Sequence, residues 1–333
     1  MRRDLVVVGA SAGGVEALRS LVAGLPAGLP AAVVVVLHMP AGGSSALPAI
    51  LSRGGALPAV AVRDGMPLRH GRIHVAPPDH HTLVRNGVLR LSRGPTENGH
   101  RPAVDVLFRS AALSAGPAAI GVVLSGTLDD GVAGMAAIKN QGGLGLVQSP
   151  GDALYPGMPE SVLEQVTVDQ VAAVAEMGAV IAGHVAQDAA VVAPSVSETL
   201  RMEVEVSGDD AGAAFGDIPE LGRTTTLTCP DCAGSLLEIP AGSGHHRCLV
   251  GHAWTPDALL DAYSGGLERA MWTAVRTLEE KIALARRMAG QARESGRGRI
   301  ADRYAEQEEE AMAAADVLRK HLLRSDLREG TGS

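Results

Sequence analysis

The chain is poor in aromatic side chains, with two Phe, two Trp and three Tyr in 333 residues. Its core must be assembled from Val, Leu, Ile, Ala and Met. The 41 Gly and heavy use of Ala favour close packing of helices on strands. Positive charge is also short: 29 Lys and Arg stand against 37 Asp and Glu, a formal net charge of −8. A nucleic-acid or anionic-membrane partner needs a cationic surface, so neither is expected. Long apolar runs are missing near the start. "LVVVGA" is far too short to span a bilayer, and the basic "MRRD" meets an acid before any signal-type segment. A cytoplasmic protein with no direct membrane insertion is expected. Cysteine is scarce. Three Cys, two of them in a CxxC pair, argue against a disulfide framework and for a metal site in a reducing compartment.

The length suggests two domains with a helical appendage. Over residues 1–190, apolar runs at "LVVVGA", "AAVVVVL", "RIHVAP", "IGVVLSG" and "LGLVQSP" alternate with Ala-rich helical stretches. That pattern predicts an α/β domain: a doubly wound, mostly parallel sheet with helices on both faces. "VLRLSRG" reads as a hairpin edge strand. Residues 191–225 are acidic and Gly-bearing, and read as a linker with one short strand in "RMEVEV". Residues 226–256 carry a Cys/His cluster. Over 257–325, Met271, Val275, Leu278, Ile282 and Ala285 form one apolar stripe, and "GQARESGRG" interrupts it. A helical hairpin follows from this, and a disordered tail is expected at 326–333.

"VVVGASAGGVEAL" reads as strand, glycine turn and helix. A dinucleotide fingerprint would place glycine at Ser11 and an acid where His38 stands, so a nucleotide-binding oxidoreductase fits poorly. Gly9-Ala10-Ser11-Ala12-Gly13 is instead a Gly-x-Ser-x-Gly turn, whose small neighbours let a serine hydroxyl project. The helix N-terminus that follows offers N–H groups to an oxyanion. His38 ends the second strand, and "GVVLSGTLDDGVAGM" brings Asp129 and Asp130 to another strand end. Each feature alone has a plainer reading as a tight turn, a surface histidine or a helix cap. Their shared placement at three strand ends points to a Ser-His-Asp triad.

With "LHMP", "RDGMPLRHGRIHVAPPDHHTLV", "HRPAVDVLFRSAA" and "YPGMPESV" added, residues 3–190 resemble the chemotaxis protein-glutamate methylesterases. The resemblance implies hydrolysis of glutamate γ-methyl esters on methylated chemoreceptor-type proteins, often with deamidation of certain glutamines, and no cofactor for catalysis. It implies Ser11 as nucleophile, His38 as base and Asp130 as orienting carboxylate, with Asp129 capping a helix or facing solvent. Ala12 and Thr127 lie near the expected oxyanion site, where the family often has Thr and Met. His81, His100 and Met158 fall in family-like stretches as cleft candidates. The typical enzyme carries a receiver domain before the esterase; with the esterase strand at residue 4, this chain resembles the free-standing branch. A non-catalytic scaffold binding receptors or a receptor methyltransferase is the alternative, and the full triad counts against it.

"CPDCAGSLL" and "HHRCLVGHAW" supply Cys229, Cys232, Cys248 and His252 at the spacing of two zinc knuckles, with Gly234 and Gly251 in the turns. His245 or His246 could replace His252. Four filled positions imply a closed, structural Zn²⁺ site.

Overall fold

The computed structural model describes residues 2–42, 45–189, 195–208, 222–239 and 245–329. Strands β1 (Leu5–Ala10) and β2 (Ala32–Leu37) are buried at every position, as strands covered on both faces must be. β3 (Ala59–Ala61), β5 (Arg72–Val75), β8 (Ala119–Val123), β9 (Leu144–Gln148) and β10 (Gln170–Ala172) join them in a seven-stranded parallel sheet, ordered β10-β9-β8-β1-β2-β5-β3. Val6, Val8, Val33 and Val35 face α1 (Gly14–Ala23), α2 (Leu47–Gly54) and α6 (Val174–Val185) through Leu18, Leu51 and Ile181. Leu5, Val7, Val34 and Val36 face α3 (Val104–Ala115), α4 (Val132–Asn140) and α5 (Gly157–Gln165) through Phe108, Met135 and Val162. The expected doubly wound α/β fold is therefore present. Its direction reverses between β1 and β8, the place where such sheets open a crevice.

Three local expectations differ from the structure. "VLRLSRG" does form a hairpin strand, β7 (Val88–Ser92), paired with β6 (His81–Arg85) across Asn86 and Gly87 at φ 48° and 77°. β7 is not at an edge, however, because β4 (Met66–Pro67) pairs on its other side. "RMEVEV", read as a strand within a linker, belongs to α7 (Glu198–Val206). Ser197 caps that helix by accepting the Leu200 N–H, and Leu200 and Val204, four apart, pack beside Leu83 and Val106. The one-face burial available against α3 outweighs the alternating pattern. The tail expected from 326 differs as well. α9 (Gly298–Glu329) runs to Glu329, since charged residues of good helix propensity continue it, and 330–333 lie outside the described residues.

A four-stranded antiparallel sheet follows: β11 (Arg223–Thr228), β12 (Ser235–Glu238), β13 (His246–Cys248) and β14 (Ala253–Trp254). It belongs to the same compact unit as the α/β sheet, Met1–Leu259. The second unit, Leu260–Ser333, holds most of α8 (Pro256–Glu294) and all of α9. Within it Leu278 and Ile282 meet Ala311 and Ala315. Arg286–Glu308 and Arg319–Glu279 ion pairs run in antiparallel register, so the stripe closes an intramolecular hairpin. Among the described residues no helix is long and apolar enough to cross a membrane.

Helices α3 and α4 approach closely at Gly134, where an added Cβ would lie 2.4 Å from Phe108 Cβ and 3.1 Å from the Asp105 carbonyl oxygen. Gly134→Ala is expected to destabilise the protein by about 1–3 kcal/mol through overpacking. Gly28→Ala meets nothing within 4 Å and serves as control. Urea melts of the two variants check this; equal midpoints would contradict it.

Candidate active site and metal centre

β8, β1 and β2 are parallel neighbours, so the loops that follow them leave the same edge of the sheet. β1 ends at Ala10 and the chain turns at once, with Gly13 at φ 68° before α1. The Ser11 N–H donates to the Ser125 carbonyl at 3.0 Å, and the His38 N–H donates to the Ala10 carbonyl at 3.1 Å. The three side chains meet there. Ser11 Oγ lies 3.1 Å from His38 Nδ1, and His38 Nε2–H donates to Asp130 Oδ2 at 2.7 Å. The His38 and Asp130 side chains are 5% and 3% exposed, so this contact is shielded from water.

Asp130 is seated on a helix start. Its Oδ2 accepts the Val104 N–H at 2.7 Å and its Oδ1 the Asp105 N–H at 3.0 Å, both in the first turn of α3. Asp105 returns the arrangement: its Oδ1 accepts the Gly131 N–H at 3.0 Å and the Gly134 N–H at 2.6 Å, where α4 begins. Burial pushes the Asp105 carboxyl well above the usual range, and the neighbouring Asp130 charge adds to this. Burial opposes a charge on Asp130 too, but the hydrogen bond and charge of His38 and the Val104 N–H together hold it below the usual range. Of the two carboxyls, the one held low is the one beside the imidazole. Asp105 escaped sequence reasoning, and a single acid at the start of the apolar "VDVLF" helix was its only signal. Asp129 does not face solvent. It is buried, accepts the Thr255 hydroxyl at 2.6 Å, and is raised to about 6 by burial, with Asp257 and Asp130 adding to the shift.

The cleft candidates divide. His100 stacks on His38 with ring centroids 3.8 Å apart and planes 17° from parallel. Burial, then the charge of His38, lowers His100 to about 4, so it is neutral at neutral pH. Both rings line a cleft of about 450 Å³ with Met39, Thr96 and Arg101. His81 does not reach the cleft. It is fully buried, Nε2 bonds the Pro95 carbonyl at 2.9 Å, and Nδ1 accepts the Ala103 N–H at 3.3 Å. A histidine that satisfies two backbone groups is a strut. Met158 is likewise buried and lies beneath Gly126, where an added Cβ would sit 2.1 Å from its sulfur and 2.9 Å from Ser11 Cβ. Thr127 is exposed beside Gly126, whose N–H and carbonyl are tied to Tyr155 and Met158 at 2.9 Å each. Ala12, half-buried at the mouth of α1, has its carbonyl held by the Ser125 hydroxyl at 2.8 Å.

The Cys/His cluster comes together as two facing turns. In one, the Ala233 N–H donates to the Cys229 carbonyl at 2.9 Å; in the other, the Gly251 N–H donates to the Cys248 carbonyl at 2.9 Å. Gly251 takes φ 96° as its type allows, whereas in the first turn Ala233, not Gly234, takes the left-handed position at φ 58°. One ligand atom from each of Cys229, Cys232, Cys248 and His252 lies within 4.8 Å of the others. Cys232 and Cys248 Sγ are 3.6 Å apart, and His252 Nδ1 is 3.5 Å from Cys248 Sγ and 3.8 Å from Cys229 Sγ. Zinc–thiolate and zinc–imidazole bonds of about 2.3 and 2.0–2.1 Å give tetrahedral edges of about 3.5–3.8 Å. The residues therefore fit a metal ion. His245 is engaged elsewhere, 2.6 Å from the Glu203 carboxylate.

A sequence model described as CheB methylesterase matches residues 6–181. A protein-glutamate methylesterase/protein-glutamine glutaminase of Myxococcus xanthus is 41% identical over 187 residues, 55% of this chain and 54% of that protein. One of Methanosarcina mazei is 38% identical over 175 residues, 50% of this chain and 48% of that protein. The chain thus spans about half the length of the curated relatives it matches. The crystal structure of the Thermotoga maritima CheB methylesterase catalytic domain superposes with TM-score 0.53 and 30% identity, covering 55% of this chain and 99% of that one. Together with the doubly wound sheet, the matched span places the chain in the CheB methylesterase family.

Proposed function

We propose that the chain is a serine esterase that hydrolyses glutamate γ-methyl esters on methylated chemoreceptor-type proteins, with deamidation of certain glutamines as a second activity. The observation that carries this reading is the unbroken relay from Ser11 Oγ through His38 to Asp130, at 3.1 and 2.7 Å. The activity for which the relatives are named supplies the substrate class. His38 accepts the Ser11 proton as the hydroxyl oxygen attacks the ester carbonyl. Asp130 fixes the imidazole and stabilises its charged form. N–H groups around Ala12, with Thr127 beside them, receive the oxyanion, each such donor lowering the barrier by about 3–4 kcal/mol. His38 returns the proton to the departing methoxide, methanol leaves, and water attacks the acyl-enzyme to release glutamate.

The rest of the reading follows from this one. Residues 1–190 form the catalytic region, and the 226–256 Cys/His module and the 257–325 helices are additions outside the family match. A receptor methyltransferase is a partner because it makes the substrate. A cytoplasmic location suits both partners. The metal is a structural Zn²⁺ held by Cys229, Cys232, Cys248 and His252. It supplies cross-linking of two turns and takes no part in the ester chemistry.

Methanol release from a receptor methylated by its cognate methyltransferase tests the reading. Wild type is expected to release methanol, and Ser11→Ala to lose at least about a thousandfold; no release from wild type, or release surviving in Ser11→Ala, would overturn it. Asp130→Asn is expected to cost on the order of 10²- to 10⁴-fold in kcat, since it misdirects the imidazole proton.

A further inference from the structure

The two metal-binding turns do more than close on each other, for each also grips the loop that carries His100. In the first turn, Asp231 accepts the Thr96 hydroxyl at 2.5 Å. In the second, Ala253 directly follows the ligand His252. Its N–H donates to the Thr96 carbonyl at 3.2 Å, and its carbonyl accepts the Asn98 N–H at 2.8 Å. Between them the chain makes a tight turn, with Asn98 and Gly99 at φ 53° and 73° and Glu97 and His100 bonded to each other through both N–H groups. His100 leaves this turn to lie on His38. Thr255, two residues further on, makes the other link: its N–H donates to Asn98 Oδ1 at 2.8 Å and its hydroxyl to Asp129 at 2.6 Å, next to Asp130.

The small sheet has thin aliphatic packing, and apart from the contacts above its hold on the loop runs through Arg247, which donates to Glu97 at 3.1 Å and to the Gly251 carbonyl of the second turn at 2.7 Å. Leu236, Leu237 and Ile239 are its main buried aliphatics, and no residue of β11 is fully buried. A sheet of this size relies on its ion to fix the two turns.

We propose that the metal centre is a clamp on the catalytic groups. With the ion bound, the two turns hold the 96–100 loop so that His100 covers His38, and Thr255 fixes the loop ending in Asp130. Without it the turns part, the loop keeps only its Glu97 anchor to Arg109 and Arg247, the cover over His38 loosens, and turnover falls. His100 and Thr255 are positioning residues in this scheme. The proposal rests on the serine-esterase and zinc readings above, and makes metal loading a determinant of activity.

The full chain is tested as purified, after chelation, and after Zn²⁺ is returned, with bound zinc measured by mass spectrometry and folding followed by circular dichroism. Ser11 reactivity is read with a fluorophosphonate probe, which needs no receptor. One zinc per chain is expected. Depletion should lower the rate constant for phosphonylation of Ser11, with loss of fluoride, on the order of 10- to 100-fold with little change in probe affinity, and Zn²⁺ should restore it. Thr255→Val guards against simple unfolding: it should keep the zinc yet slow phosphonylation. An unchanged rate in both depleted protein and Thr255→Val would overturn the clamp while leaving the metal site intact. Absence of bound zinc with full reactivity would overturn the metal site. A zinc-loaded wild type that the probe does not label would overturn the esterase reading, and the clamp with it.

Discussion

Two buried carboxylates exchange helix starts, and the site depends on that exchange. Asp130 accepts the first N–H groups of α3, and Asp105, inside α3, accepts those of α4, the helix that Asp130 precedes. Each helix start leaves unpaired donors and a positive dipole end, and each buried carboxylate needs both. The exchange satisfies them together and leaves Asp130 Oδ2 also facing His38. Packing of α3 on α4 and orientation of the imidazole are therefore one interaction. It also sets the two acids apart: burial and its neighbour push Asp105 well above the usual range, while His38 and the Val104 N–H hold Asp130 below it.

A second buried set ties the small antiparallel sheet to the same helices. Glu97 receives Arg109 from α3, Arg247 from β13 at 3.1 Å and the Ser207 hydroxyl at 2.9 Å. Burial disfavours its charge, but the two guanidinium groups hold it far below the usual range. Removing one member would leave a charge stranded in the interior, a cost of several kcal/mol. The Glu97 backbone is also one arm of the turn that presents His100, so the network anchors the loop over His38.

Much of this was legible in the sequence where a local pattern fixes geometry. The apolar runs of β1, β2, β8 and β9 gave the parallel sheet. Ser11, His38 and Asp130 could be located because each directly follows or lies just beyond a strand end. The paired turns of the Cys/His cluster have a spacing that only a few geometries satisfy. What stayed hidden was set by tertiary contact. Glu97 and Arg247 are 150 positions apart, and nothing local marks either as buried. The alternation in "RMEVEV" favours a strand until α3 offers a surface. His81 sits in the same stretch of motif as Asp79, which lines the cleft, and only its two backbone partners reveal a strut. The strands β3 and β10, three residues each, are too short to show a period.

The central claim is that Ser11 becomes covalently acylated during turnover. The most direct measurement is mass spectrometry of the protein quenched in acid while it consumes a methylated receptor peptide, followed by mapping of the adduct. The account predicts a peptide acyl group, formed with loss of methanol, on Ser11. An adduct on any other residue would contradict it.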